Sequence, residues 1–283
     1  MMHKVRYKFS MYMTLIRVKV CLITIFAIII GALVSGNVAF DIVNIVPVLS
    51  ALIAGFVITG FGNVINDYYD YEIDKSSHLD DIKNRPVASG RVSMKEALVL
   101  SGIVALIGII FAIFVSPAFL YLAVFNLFVS FIYARLLKPV ALAKNISVAW
   151  LGASAFIGGS LIASPVIGVG VAVLASVAFL TTFSWEMLKD IRDVKNDSVN
   201  DIHTVPYYIG TKRTKIFSYL LLVLAFIVLI ASYQSFNLIY LLGVIPAIVL
   251  SAYSVKMPVR KAYKLIRIST WFVILGLLAS ALV

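Results

Sequence analysis

The chain has 283 residues, of which 62% are hydrophobic and 13% are charged, and its mean hydropathy is +1.03. Soluble domains carry about 25% charged residues, so this composition excludes an ordinary soluble protein and predicts one membrane domain over residues 1–283. The net charge of +11 would suit a nucleic-acid-binding protein, but the basic residues follow the spacing of the apolar segments, which favours membrane topology as their explanation.

Nine apolar stretches each approach the length of about 20 residues that a helix needs to cross a membrane. We therefore predict an all-α polytopic bundle of about nine transmembrane helices. In chain order the predicted spans are 18–35, 43–66, 96–115, 118–135, 146–164, 166–185, 216–233, 236–255 and 266–283.

Charge is distributed very unevenly between the two ends of these spans. All 24 Lys and Arg residues lie in the N-terminal arm or in every second loop, so the positive-inside rule predicts a cytoplasmic N-terminus and an external C-terminus. Of the 13 acidic residues, only Asp41 falls on the external side. The N-terminal arm leads into a full-length span without a small-residue cleavage site, which argues against a cleavable signal.

The first acidic motif follows the second span directly and contains Asn66, Asp70 and Asp74. Residues four apart share one face of a helix, so these side chains form a polar stripe. Two carboxylates about 6 Å apart repel by about 2.8 kcal/mol at an effective dielectric of 20, and a helix C-terminus disfavours anions. A bound cation would offset both effects, and oxygen ligands without His or Cys indicate Mg²⁺. The alternative is a solvated helix end.

A second acidic motif has the same spacing, with Asp193 and Asp197 after the sixth span. A Pro-x-x-x-Gly sequence follows each motif, at 86–90 and at 206–210. The same order in both halves predicts two four-helix repeats plus a ninth helix, with the site between the halves. Because the motif occurs twice on one membrane face, a metal site is a better explanation than two solvated helix ends.

These motifs resemble those of the UbiA-type superfamily of intramembrane prenyltransferases. The N-x-x-x-D-x-x-x-D motif of that family is matched by the first motif, and its D-x-x-x-D motif by the second. The family has an acid seven residues before the second motif, where this chain has Glu186 and many members have Asp. The turns at 85–90 and 204–210 and the stretches 133–138 and 144–145 also resemble family sequences.

The resemblance covers nearly the whole chain and implies a nine-helix bundle around a central cavity, with both acidic loops on the cytoplasmic side. It also implies transfer of a prenyl group from an allylic diphosphate to an acceptor. That chemistry needs stabilisation of the departing pyrophosphate and exclusion of water. We predict Mg²⁺ as the cofactor, with Asp70 and Asp74 holding one ion and Asp193 and Asp197 another. Asn66 is predicted to be a ligand or to orient one.

Further side chains near the motifs are predicted to bind substrate. Asp67 and Asp190 are expected to support the ligands, Glu186 is expected to contact the substrate, and Tyr133 and Asn145 are expected to donate hydrogen bonds. Lys and Arg side chains near the motifs are expected to bind phosphate oxygens. Alternatively, each of them only reflects the positive-inside rule for cytoplasmic loops. The candidates are Arg17, Arg85, Lys138, Lys144, Lys189 and Arg192.

The second motif, residues 186–193, most resembles that of the archaeal digeranylgeranylglyceryl phosphate synthases. This implies geranylgeranyl diphosphate as donor and the free hydroxyl of geranylgeranylglyceryl phosphate as acceptor, among membrane lipids and without nucleic acid or an obligate protein partner. An aromatic acid or quinone precursor is the alternative acceptor. A cation-coupled transporter is the non-enzyme alternative, disfavoured because ionisable groups are nearly missing from the outer half.

Overall fold

A computed structural model of the chain describes residues 2–36, 45–76, 85–199 and 202–282. The regular structure in these ranges is helical apart from one isolated bridge between Val140 and His203, which confirms the all-α class. Asp41 lies outside the described residues. The α-helices are α1 Met2–Ile16, α2 Val18–Ser35, α3 Ile45–Tyr69, α4 Tyr71–Ser76, α5 Met94–Ile113, α6 Pro117–Ile132, α7 Ala143–Ser160, α8 Val169–Val199, α9 Val205–Ala231, α10 Leu241–Ser254 and α11 Val259–Ala281.

Seven described helices are long and apolar enough to cross a membrane, namely α2, α3, α5, α6, α8, α9 and α11. This confirms a multi-pass membrane protein. The other two predicted spans correspond to α7, which has the polar pair Lys144 and Asn145 in its first turn, and to α10, which is a shorter apolar helix. Predicted span 166–185 is shorter than the observed helix, because α8 continues through the second acidic motif to Val199.

The N-terminal arm forms helix α1, which we did not predict. It mixes basic and apolar residues and therefore has no continuous apolar run. Arg17 separates α1 from α2 and has a positive φ of 58°, a left-handed conformation that is uncommon for a residue with a side chain. At this junction the Asn63 side chain donates a hydrogen bond from Nδ2 to the Ile16 carbonyl at 2.8 Å.

The chain divides into two compact units. The first comprises Met1–Ile28 and Ala39–Leu136, and the second comprises Ile29–Val38 and Leu137–Val283. In the first unit α3 is central and packs against α1, α5 and α6. Gly108 of α5 lies against Ile58 of α3, so a small residue allows the two helices to approach closely, as is usual within membranes.

In the second unit α8 is central and packs against α7, α9 and α11, while α10 packs against α11. The backbones of α10 and α11 meet at Gly243 and Gly276. A Cβ atom added to Gly243 would lie 2.1 Å from the Phe272 carbonyl oxygen. A hydrogen bond between two serine hydroxyls links α8 and α9, with the Oγ atoms of Ser184 and Ser218 3.1 Å apart.

Each unit contains one of the Pro-x-x-x-Gly turns, and the final glycine has a positive φ in both. Gly90 has a φ of 72° and Gly210 a φ of 79°, values that glycine adopts without a steric penalty. Pro206 lies in the first turn of α9, where its missing N–H leaves no helix hydrogen bond unmade. Each turn leads directly into the helix that packs against the acidic helix of its unit.

Candidate metal and substrate site

The first acidic motif crosses the junction between α3 and α4. Helix α3 ends at Tyr69, and Asp70 is a turn residue, but the backbone amides of Asp70 and Asp74 still donate to the carbonyls four residues earlier at 2.9 and 2.8 Å. The predicted stripe therefore keeps its register despite the break. Asn66 Nδ2 donates to Asp70 Oδ2 at 2.7 Å, and Asp70 is buried.

Asp67 is the carboxylate on which two predicted phosphate ligands converge. Its Oδ1 atom accepts hydrogen bonds from Arg17 Nη2 at 2.5 Å and from Arg85 Nη1 at 3.3 Å. Arg85 Nη1 also lies 2.9 Å from Asp74 Oδ2. The arginine side chains stay 38% and 36% exposed while Asp67 is 4% exposed, so the cations are held in place yet remain accessible to a phosphate.

The second motif occupies the last turns of α8, where Asp190 is fully buried. Its two carboxylate oxygens accept hydrogen bonds from Lys144 Nζ at 2.6 Å and from Asn145 Nδ2 at 2.8 Å. Both donors lie in the first turn of α7, directly after Leu142, which has a positive φ of 67°. Because Lys144 is itself buried, it depends on Asp190 for its counter-charge.

Two further ion pairs lie along the same helix. Lys189 Nζ is 3.2 Å from Glu186 Oε1, and Glu186 is 1% exposed. Arg192 donates from both Nε and Nη2 to the two oxygens of Asp193, each at 2.7 Å. This is the paired geometry that makes arginine–carboxylate contacts strong.

Asp67 and Asp190 hold equivalent places, each three residues before the first aspartate of a D-x-x-x-D pair. Each is the anchor for two donors from other parts of its unit. A carboxylate that holds two donors in place is the arrangement expected of a residue that supports metal ligands.

Unpartnered oxygen atoms provide a test of whether these motifs suit Mg²⁺. Asn66 Oδ1, Asn145 Oδ1 and Asp197 Oδ2 are buried and accept no hydrogen bond from the described residues. A buried acceptor without a partner costs about 1–3 kcal/mol, and a hard cation would satisfy such oxygens. The motifs therefore fit the ion chemically.

The described residues of each motif do not form a complete metal cage. No group of three His, Cys, Asp or Glu side chains within the described ranges is placed to hold a metal ion. Mg²⁺ is usually bound through one or two carboxylates together with water and substrate phosphate. The described carboxylates are compatible with a partial coordination shell of this kind.

Asp197 lies in a partly buried environment close to other charged groups. Burial raises the pKa of this carboxyl, whereas the nearby cations Lys144 and Lys138 act to lower it. Lys138 directly follows a π-helical segment, Tyr133–Leu137, whose first residue is the predicted hydrogen-bond donor and is half-buried. Such segments occur frequently at functional sites.

Three residues near the second motif were not predicted. Thr204 is buried at the start of α9, and its hydroxyl has no partner in the described parts of the chain. The Trp185 ring lies under Lys189, and the Tyr263 ring of α11 lies under Arg192. The four-residue spacing of Trp185 and Lys189 was a usable signal, whereas nothing in the sequence linked α11 to this motif.

Most of the chain is similar to known proteins. Residues 24–280 match the model of the UbiA prenyltransferase family. A digeranylgeranylglyceryl phosphate synthase from Methanosphaera stadtmanae is 33% identical over 255 residues, which covers 89% of each chain. One from Pyrococcus furiosus is 34% identical, over 78% of this chain and 80% of the relative.

Solved structures have a similar fold over nearly the full length of the chain. A structure of digeranylgeranylglyceryl phosphate synthase matches with a TM-score of 0.79 and 28% identity, over 97% of this chain and 98% of the other. A UbiA homologue from Archaeoglobus fulgidus, bound to GPP and Mg²⁺, matches with a TM-score of 0.72 and 15% identity, over 96% and 100%. The chain therefore belongs to the UbiA prenyltransferase family.

Proposed function

We propose that the chain transfers a geranylgeranyl group from geranylgeranyl diphosphate to the free hydroxyl of geranylgeranylglyceryl phosphate, releasing pyrophosphate, in archaeal ether-lipid biosynthesis. The observation that carries this proposal is the full-length similarity to digeranylgeranylglyceryl phosphate synthases in both sequence and structure. The buried, unpartnered oxygens of both motifs support it independently, because they suit a reaction that depends on metal and diphosphate.

We further propose that Asp70 and Asp74 hold one Mg²⁺, with Asn66 as a ligand or an orienting group, and that Asp193 and Asp197 hold a second. Bound Mg²⁺ neutralises charge on the pyrophosphate as the allylic C–O bond breaks. The carboxylates would supply only some of the ligands to each ion, and phosphate oxygens of the donor would supply others.

The cations near each motif would then exchange partners. Arg85 and Arg192 are paired with metal-binding carboxylates, through Asp74 and Asp193. When those carboxylates coordinate metal, the guanidinium groups become available to phosphate oxygens. Arg17, Lys138, Lys144 and Lys189 add positive charge, while the Tyr133 and Asn145 side chains donate hydrogen bonds. Supporting contacts from Asp67, Asp190 and Glu186 keep these groups in place.

For the membrane arrangement, we propose nine crossings within a single domain over residues 1–283, with the N-terminus and both motifs in the cytoplasm and the C-terminus outside. Helices α7 and α10 supply the two crossings beyond the seven that length and apolarity identify. The shared order of acidic helix, Pro-x-x-x-Gly turn and following helix supports two four-helix repeats with α11 as an added helix.

The proposal is tested by incubating purified protein in detergent with radiolabelled geranylgeranyl diphosphate and a panel of acceptors, with Mg²⁺ or with EDTA. We expect product from geranylgeranylglyceryl phosphate in Mg²⁺ and none in EDTA. Product only from an aromatic acid would support the alternative acceptor. No consumption of diphosphate with any acceptor would contradict enzyme function and favour a transporter, since detergent removes any gradient.

A further inference from the structure

Two aromatic rings in the second unit carry cations on their faces. The ring centres of Trp185 on α8 and Tyr263 on α11 are 5.7 Å apart. Lys189 Nζ lies 5.9 Å from the centre of the Trp185 ring, and the guanidinium carbons of Arg192 and Arg267 lie 5.2 and 5.6 Å from that of Tyr263. Three positive charges, from two helices, are therefore gathered around one pair of rings.

Two hydrogen-bond donors in this cluster are not fully used by the described residues. Arg267 Nη1 donates to the Tyr263 hydroxyl oxygen at 3.3 Å, but Arg267 has no carboxylate partner in the described part of the chain. The hydroxyl proton of Tyr263 likewise has no acceptor among the described residues. The exposed guanidinium of Arg267 therefore lies beside the phenol hydroxyl of Tyr263. Two such neighbouring donors suit an anion with several oxygens.

The position of the cluster indicates what carries that anion. Trp and Tyr concentrate at the level of lipid headgroups, and basic pockets between transmembrane helices bind headgroup phosphates. Arg192 touches the Tyr263 ring and also forms the paired contact with Asp193, so the cluster adjoins the second acidic motif. A lipid phosphate bound there would lie beside the carboxylates proposed to hold metal.

We propose that Lys189, Arg192, Tyr263 and Arg267 bind a lipid phosphate, and that the lipid is the prenyl acceptor, whose phosphomonoester is anchored beside the second motif. This inference rests on the proposed function and extends it by giving α11 a part in acceptor recognition. The phosphate takes no part in the chemistry; its binding positions the acceptor. Bulk headgroup phosphodiesters share the same chemistry and are the competing source.

The test is steady-state kinetics of the full-length protein in neutral detergent. Because a hydrogen bond to a charged group contributes about 1.5–3 kcal/mol, Arg267→Gln should raise the KM for the phosphate-bearing acceptor roughly tenfold or more, without changing kcat or the KM for the donor. Tyr263→Phe should act in the same direction. With the same acceptor lacking its phosphate, wild type and both variants should have equal KM values.

Lys261→Gln is the matched control, since it removes an exposed cation from another face of α11 and should leave all constants unchanged. An unchanged acceptor KM in both Arg267→Gln and Tyr263→Phe would overturn the inference while leaving the proposed function intact. Failure of the wild type to use this acceptor would instead overturn the proposed function. The competing source is tested in nanodiscs that contain phosphatidylglycerol. If this lipid raised the acceptor KM of the wild type to the value of the variants, the site would bind bulk headgroups, and the acceptor assignment would be overturned.

Discussion

In each acidic motif one buried carboxylate accepts hydrogen bonds from two other side chains, and Asp190 is the more deeply buried of the two. It is fully buried and accepts a hydrogen bond from Nζ of the buried Lys144. Breaking a buried ion pair by removing one partner costs about 3–5 kcal/mol. We therefore expect Asp190→Ala to lower the Tm of the purified protein by several degrees as well as to abolish activity.

The matched control is Asp193→Ala, in the same helix three residues later. Its partner Arg192 has a side chain that is 29% exposed, so water can solvate the released charge. We expect this variant to lose turnover with a Tm close to that of wild type. Equal Tm values for Asp190→Ala and wild type would show that the buried pair does not stabilise the fold.

Sequence spacing predicts contacts within one helix but not contacts between helices. The stripe of Asn66, Asp70 and Asp74 follows from the i to i+4 geometry, which is local. By contrast, Lys144 and Asp190 are 46 residues apart, and they meet only because α7 packs against α8. The sequence therefore identifies these residues as polar and near the motifs without indicating that they bind each other.

At the scale of helices, close contact depends on glycines that allow backbones to touch. Gly243→Ala would place a Cβ atom 2.1 Å from the Phe272 carbonyl oxygen and 2.8 Å from the Gly276 Cα atom. Backbone atoms cannot rotate away, so α10 and α11 must separate. Since overpacking costs typically about 1–3 kcal/mol, we expect a lower Tm in detergent.

Gly102→Ala is the control for that substitution. Gly102 lies within α5, and an added Cβ atom would meet no other atom within 4 Å. Alanine also has the higher helix propensity, so this variant should be at least as stable as wild type. If Gly102→Ala lowered the Tm as much as Gly243→Ala, the effect of Gly243→Ala could not be attributed to the contact between α10 and α11.

Helix α1 shows where hydropathy alone is insufficient. Apolar runs identify most of the long helices, because a membrane span is recognised by composition. An amphipathic helix has no such run, and α1 is stabilised by distant contacts such as Lys8 Nζ to Glu96 Oε1 at 2.7 Å. Those contacts depend on tertiary packing and have no signature in the sequence.

At the scale of the whole molecule, the proposed topology can be tested by cysteine labelling. Cys21 is the only cysteine of the chain and is buried, so background labelling should be low. In intact cells, a membrane-impermeant thiol reagent should label Ser235→Cys, in the exposed segment between α9 and α10, and should miss Ser10→Cys. In permeabilised cells the reagent should label both variants. The reverse pattern in intact cells would contradict the cytoplasmic N-terminus.

The central claim is that carboxylates of both motifs bind Mg²⁺ and thereby enable pyrophosphate to leave. The most direct measurement is pyrophosphate release as a function of Mg²⁺ concentration for wild type, Asp70→Ala and Asp193→Ala, with Glu72→Ala, an exposed acid of α4, as control. We predict Mg²⁺-dependent release by wild type and Glu72→Ala, and a loss of at least about a hundredfold in both aspartate variants while they stay folded. Undiminished release by either aspartate variant, or by wild type in EDTA, would contradict the claim.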